Sequence, residues 1–175
     1  MQPGDGNHLK EGRFASRFTL FFTTLKYLTM ALNFNKYVTD GEQFVKEVAI
    51  EMGTPWDTAK GGRILRAVLH AFRDRVPPRE SLQLIAQLPM LIKAIYVDGW
   101  QMKDESRQLR HLGDFIEAVR EAGGRATFED FTTDYEVQHA VQAVFKVLKN
   151  HVTEGEIQDV MSTLPTELRP LLADA

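Results

Sequence analysis

The stretch GGRILRAVLHAFRDRVPPRESLQLIAQLPMLIKAIYVDGW, residues 61–100, decides the fold. Its first part repeats apolar residues at steps of three and four, as on the buried face of a helix: Ile64, Leu65, Val68, Leu69 and Phe72. Two prolines after Val76 break that helix. Pro89 begins another, with an apolar stripe of Met90, Ile92, Ile95 and Tyr96, that ends at Asp98 and Gly99. Between them we predict a short helix with an apolar face of Leu82, Ile85 and Leu88.

Helix-end signals precede this stretch. Asp40 and Gln43 stand three positions apart, an acidic variant of the capping box, which predicts that a helix begins there. Gly53 predicts the end of the same helix. Thr54, followed by Pro55, predicts the N-cap and first position of the next helix.

The same order of signals returns after residue 111. An apolar stripe through Phe115 and Val119 is predicted to end at the glycine pair 123–124. Two further helices are predicted to begin at capping boxes, which are Thr133 with Glu136 and Thr153 with Glu156. Pro165 is predicted to start a last short helix.

Landmarks in the two halves share one spacing of 76 residues. The pairs are Ala67 and Ala143, Val68 and Val144, Val76 and Val152, Glu80 and Glu156, and Leu88-Pro89 and Leu164-Pro165. The first helices are spaced by 71 instead, Phe44 with Phe115, which places an insertion as a long loop at residues 123–133. The repeat predicts an all-α fold of two tandem four-helix units packed around a shared core by a pseudo-twofold repeat, because neither unit buries its apolar faces alone.

We divide the chain into four segments on this pattern. Residues 33–100 are the first helical unit, residues 101–110 a polar connector, and residues 111–175 the second helical unit. Residues 1–32 are an N-terminal extension that is either disordered or a single amphipathic helix. We favour the interpretation that residues 1–29 lie upstream of the natural start, which is then Met30.

The residues quoted so far resemble a known family. The stretch at 61–100, and later HVTEGEIQDVMSTLPTEL at 151–168, follow in order the pattern of the bacterial domain-of-unknown-function 2267 family. The resemblance spans about residues 34–172, and the N-terminal extension and the loop at 123–133 depart from it. It implies an all-helical bacterial protein and no activity, because the family has no assigned function.

Composition excludes several classes of function. The chain has no cysteine, which excludes disulfides, thiolate nucleophiles and cysteine-bound metals. Its net charge of -3 argues against nucleic-acid binding, and no apolar run reaches the roughly 18 residues of a membrane span. His111, His139 and His151 lack the spacing of a metal motif. We therefore expect no metal, cofactor or catalytic residue, and a cytoplasmic location.

The second predicted helix carries a row of cations, here called the basic stripe: Lys60, Arg63, Arg66, His70 and Arg73. Clustered guanidinium groups suit phosphate and carboxylate, so its lysine and three arginines are candidate contacts for an anionic partner. The alternative, which we favour, is a solvated face paired with acids elsewhere in the chain.

Trp100 is the fifth candidate contact, because it stands at the junction of the two predicted units. A tryptophan at such a junction is more often packed against the rest of its own protein than exposed for binding a partner. We expect the same of Trp56, which is predicted to lie in the first turn of its helix.

Two functions compete on these observations. The leading hypothesis is a non-enzymatic interaction or scaffold module of the bacterial cytoplasm, with a protein partner whose identity and stoichiometry the sequence leaves open. The alternative is a small anionic-ligand-binding protein or enzyme with a pocket between the two units. A filled surface between the units favours the first, and an open cavity lined by polar groups favours the second.

Overall fold

The computed structural model describes residues 32–101 and 111–173, apart from the side chains of Phe128 and Leu172. The chain divides into two compact units, residues 1–34 and 35–175, and the fold described below is that of the second. The extension predicted at residues 1–32, up to residue 31, and the connector predicted at 101–110, beyond its first residue, lie outside the described residues.

Helices alone make up the regular structure of the described ranges, which confirms the all-α prediction. In chain order they are α1 Phe34–Glu51, α2 Thr58–Arg73, α3 Pro78–Gln87, α4 Met90–Val97, α5 Leu112–Gly123, α6 Arg125–Asp130, α7 Asp134–His151, α8 Glu154–Thr163 and α9 Arg169–Ala173.

One core of buried apolar side chains draws on α1 to α5 and on α7 to α9. Helix α2 lies at its centre, because nine of its sixteen residues are buried and it packs against α4, α5, α6 and α7. Helix α3 packs against α8, and α9 against α7. At the centre the rings of Phe72 and Phe145 meet edge to face, with centroids 4.8 Å apart.

Three predicted helix ends are confirmed by glycines in the left-handed region: Gly53, Gly99 and Gly124. At the first, the Thr54 amide donates to the Ala49 carbonyl and the Gly53 amide to the Ile50 carbonyl, both at 2.9 Å. This is the Schellman arrangement, which satisfies the last carbonyls of α1. Glycine adopts its φ of 72° without the cost that a side chain would bring.

The predicted start of α1 at Asp40 is wrong, since the helix begins six residues earlier. Asp40 lies inside it and pairs one turn back with Lys36 at 2.6 Å. Gln43 donates one turn ahead to Glu47. Spacings of four residues bring side chains together on a helix surface, so these polar groups stabilise the helix interior.

The predicted cap of α2 is also wrong. The Asp57 carboxylate caps this helix by accepting from the Lys60 amide at 2.8 Å. Thr54 does not cap α2. Its amide donates to the last turn of α1, and its buried hydroxyl has no hydrogen-bond partner. Trp56 therefore lies before α2 and is 80% exposed, so the expectation that it packs against the body is wrong.

The buried face of α3 differs from the prediction. Ser81 and Leu84 are buried, and Leu88 follows at the end of the helix, whereas Leu82 is 65% exposed. The Ser81 hydroxyl shares a 3.0 Å hydrogen bond with the buried Tyr96 hydroxyl. A helix has 3.6 residues per turn, so a stripe of residues at steps of three gradually leaves the buried side. A serine can take a buried position when its hydroxyl has a buried hydrogen-bond partner.

The capping box at Thr133 and Glu136 is confirmed, and the one predicted at Thr153 and Glu156 is wrong. Helix α8 does begin after Thr153, but the side chain of Gln87 accepts from its amide at 2.7 Å. One oxygen of Glu156 is buried without a partner, and this burial raises the pKa of the carboxyl.

Two further boundaries differ from the prediction. Residues 123–133, predicted as a loop, contain α6, and its Thr127 hydroxyl donates back to the Arg120 carbonyl at 2.9 Å. After Pro165 a turn precedes the last helix, with the Leu168 amide donating to the Pro165 carbonyl. Helix α9 begins only at Arg169.

Candidate functional site

The basic stripe runs along α2, and the structure turns its side chains toward other parts of the same chain. At its first end, Arg63 forms a two-pronged ion pair with Asp130, both distances being 2.8 Å. Lys60 donates to the carbonyl of the same residue at 3.3 Å. The Asp130 side chain is only 9% exposed, so this end of the stripe holds the end of α6 against α2.

The other end of the stripe holds the C-terminus of α4. The buried Arg73 donates to the carbonyls of Tyr96 at 2.5 Å and Asp98 at 2.7 Å. The His70 ring lies 2.8 Å from the Ile95 carbonyl. The Arg73 cation at this position satisfies free carbonyls and interacts favourably with the helix dipole.

Among the arginines of the basic stripe that form ion pairs, Arg66 is the most exposed, with 57% of its side chain open to solvent. It pairs with the equally exposed Asp98 at 2.8 Å. Trp100 lies beside the same end of α4, half-buried, with its ring edge-on to Tyr96 at 5.9 Å. The structure thus brings Arg66, Arg73 and Trp100 together at α4 and leaves Lys60 and Arg63 at α6.

A small cleft opens beside the first end of the stripe, with a volume of about 160 Å³. Its polar lining comes from Thr54, Lys60, Asp130, Glu136 and His139. Hydrogen bonds from Thr132 and Thr133 hold the pKa of Glu136 at about 2, so this carboxyl is an anion at neutral pH. Ligand pockets usually enclose about 300–1,000 Å³, so the cleft suits nothing larger than a small polar molecule.

An apolar surface lies on the opposite side of α4 from its buried residues. The α1–α4 face, as we name it, comprises Val38, Met90, Leu91, Ala94 and Val97, all exposed. Helix α4 has the sequence MLIKAIYV, yet only Ile92 and Tyr96 are buried. A helix that is apolar on all sides is expected to be covered on all sides.

The two parts of this face are joined by a close contact. A Cβ placed on the buried Gly41 would lie 3.0 Å from Leu91, so α1 and α4 meet there with no room for a side chain. Val38 lies one turn before Gly41 on the same side of α1. Beyond it, Val45 and Val48 continue the stripe into the core.

A family model described as an uncharacterized conserved protein, DUF2267, matches residues 41–171. The chain belongs to the DUF2267 family. The match runs from Gly41 in α1 to Leu171 in α9 and includes every residue of the basic stripe and of α4. No curated protein matches this sequence. None of the helices in the described ranges of this DUF2267 protein is long and apolar enough to cross a membrane.

Two histidines of this DUF2267 protein each pair with a single acid. His151 contacts Glu47 at 2.9 Å, and His111 contacts Glu167 at 3.3 Å. Within residues 32–101 and 111–173, no three His, Asp or Glu side chains converge as metal ligands would.

Sequence reasoning missed the α1–α4 face of this DUF2267 protein. It placed Met90 on the buried stripe of α4, but that side chain is 48% exposed. The available signal was composition: seven of the eight residues of α4 are apolar, which is more than one buried side of a surface helix requires.

Proposed function

We propose that this DUF2267 protein is a non-enzymatic interaction module that docks another polypeptide on its α1–α4 face. The observation that carries the proposal is the uncovered outer side of α4, an apolar helix with Met90 and Val97 nearly half exposed. Contiguous exposed apolar patches of this kind mark protein interaction sites.

The continuous core also supports an interaction module over a ligand-binding protein. The core is continuous through helices of both halves, from Phe44 in α1 to Leu171 in α9. The cleft at Lys60 is open to solvent and below the usual size of a ligand pocket.

We further infer that the helices form two tandem four-helix units, residues 33–100 and 111–175, related by a pseudo-twofold repeat. Helices α3 and α8 support this, because Pro78–Gln87 and Glu154–Thr163 have the same length and a spacing of 76 residues. So do Arg73 and Lys149, also 76 apart, each of which donates to a carbonyl near the end of the last helix in its own half.

A second candidate is an anionic partner on the exposed part of the basic stripe. Arg63 and Arg66 keep 42% and 57% of their side chains open to solvent, which supports it. An incoming carboxylate or phosphate would have to compete with Asp130 and Asp98, so only weak and salt-sensitive binding is expected. Titration with a duplex oligonucleotide at physiological salt tests this, and sub-micromolar affinity would make it the leading function.

The setting that we propose for this activity is the bacterial cytoplasm. The absence of cysteine from the sequence supports a reducing compartment.

Site-specific photocrosslinking tests the docking proposal. A photoreactive phenylalanine analogue replaces Val38 on the face, and the same analogue replaces Ile50 in the control. Both positions lie on α1 and are 45% and 48% exposed, but their side chains point about 120° apart around the helix, so position 50 lies outside the face. We expect position 38 to crosslink one defined protein segment, identified by mass spectrometry, and position 50 to give no such product. Equal labelling at the two positions would refute the proposal.

A further inference from the structure

We propose that the polypeptide docked on the α1–α4 face is a second copy of this chain, which makes the protein a twofold-symmetric dimer. The inference rests on the proposed interaction function and names its partner. A twofold interface uses the same patch on both copies, so the patch must be complementary to itself.

Helix α4 has the shape that such self-association requires. Met90, Ala94 and Val97 follow one another at steps of four and three and therefore lie on one line of the helix. Ala94, in the middle of this line, carries only a methyl group. Two copies of α4 can cross closely at that point, because the distance between helix axes depends on the side chains at the contact. The larger side chains at 90 and 97 then pack on either side of the crossing.

The electrostatics of the face also favour a second copy over a charged partner. Lys36 and Asp40, beside Val38, form an ion pair with each other. Lys93, at the edge of the face, donates to the Ala86 carbonyl of its own chain at 3.0 Å. Within the described residues of α1 and α4, a second copy therefore meets no row of like charges at this face. A net charge of -3 repels it only weakly. A strongly charged helix would find no complementary row.

The size of the face sets the strength of the dimer. A standard interface buries about 800 Å² on each partner and involves about 20–30 residues a side. The five apolar residues of the α1–α4 face are enough for the apolar centre of a smaller interface. We expect a dimer that dissociates in the micromolar range, at the weak end of specific association.

Sedimentation velocity of the full chain over a range of concentrations tests the proposal. The variants are Val38→Glu on the face and Ile50→Glu on the same helix but outside the face, and both exchange a half-exposed β-branched residue for the same acid. We expect the wild type and Ile50→Glu to dimerise with the same Kd. Val38→Glu should raise the Kd at least tenfold, because symmetry places the new carboxylate in the interface twice.

Ala94→Glu provides a second variant at the crossing point, in case Val38→Glu fails to fold by circular dichroism. It should raise the Kd at least tenfold as well. A wild-type chain that stays monomeric at all concentrations overturns the inference, as does equal weakening by Ile50→Glu. If the wild type is monomeric but position 38 still crosslinks one other protein, the docking proposal stands and only the dimer is wrong. If neither association occurs, both are wrong.

Discussion

The guanidinium group of Arg75 lies over the ring of Phe115, 5.3 Å from its centroid. A matching contact joins His151 and Phe44, whose ring centroids are 4.7 Å apart. The basic residues are 76 positions apart and the phenylalanines 71, which are the two spacings of the sequence repeat. In each contact a basic residue at the end of a long helix in one half meets the first helix of the other half. The two halves thus exchange equivalent contacts, which supports the proposed pseudo-twofold repeat.

Equivalent contacts predict equivalent stability effects. Phe44 and Phe115 are both buried, so Phe44→Ala and Phe115→Ala should each lower the free energy of unfolding by about 3–5 kcal/mol. We expect the two values to agree within about 1 kcal/mol, which is less than the usual spread among such core substitutions. Urea denaturation measures both. A large cost at one position with a small cost at the other would show that the contacts are not equivalent.

The arginines of the basic stripe should differ in their effect on stability. Arg63→Gln leaves the Asp130 carboxylate, which is 9% exposed, without its two-pronged partner, and should cost about 1–3 kcal/mol. Arg66→Gln breaks a pair whose members are both more than half exposed and should cost at most about 0.5 kcal/mol. Thermal and urea unfolding of the two variants compares them. Equal costs would contradict the structural role that we give to the α6 end of the stripe.

Because of His70, we expect the folded protein to lose stability in mild acid. Burial, aided by repulsion from Arg73 and Arg66, lowers the pKa of this imidazole below 6.5 and outweighs its bond to the Ile95 carbonyl. The unfolded chain takes up the proton first, so stability falls as the pH drops from 6.5 toward the lowered pKa. The His70→Gln variant should lose this part of the pH dependence, which urea denaturation between pH 7.5 and pH 5 would measure. An unchanged pH profile would contradict the prediction.

Glu136 should cause a second loss of stability in acid, at lower pH. Its pKa of about 2 in the folded protein lies below the ordinary value of 4.5, so its stabilising effect is complete above pH 4.5 and is lost as the pH falls toward 2. Wild type should be more stable than Glu136→Gln at neutral pH, and the difference should shrink through this acid range. Thermal unfolding from pH 6 to pH 2 follows it. A constant difference would show that the charge of Glu136 plays no part.

Apolar spacing and glycines predicted the helices well because both act within a few residues. Phe72, Phe115 and Val119 all lie in the core as their spacing predicts, and Gly99 and Gly124 follow helix ends. The errors arose where several local signals compete for one terminus. Before α2, Thr54 and Asp57 are both good caps, and only the hydrogen bonding at the end of α1 decides between them.

Contacts between distant residues explain what the sequence could not predict about the site. The basic stripe is visible as a spacing of cations, but its partners Asp130 and Asp98 are 67 and 32 residues away from Arg63 and Arg66. The α1–α4 face depends on which side of α4 the body covers, and periodicity does not reveal this when nearly every residue is apolar. Composition alone therefore identifies α4 as unusual without orienting it.

The start of α8 tests whether a helix is capped by its own neighbouring residues or by a residue distant in the sequence. The sequence predicts a capping box in which Thr153 accepts from the Glu156 amide and Glu156 accepts from the Thr153 amide. In the structure the Thr153 amide donates instead to the side chain of Gln87 on α3, at 2.7 Å. Gln87→Ala should therefore cost about 1 kcal/mol, the usual price of a lost cap, and Thr153→Ala only a few tenths. Thr133→Ala, at the capping box of α7, is the matched control and should also cost about 1 kcal/mol. Urea denaturation of the three variants ranks them. If Thr153→Ala is as costly as Thr133→Ala while Gln87→Ala is silent, the local box forms after all, and the link between α3 and α8 contributes nothing.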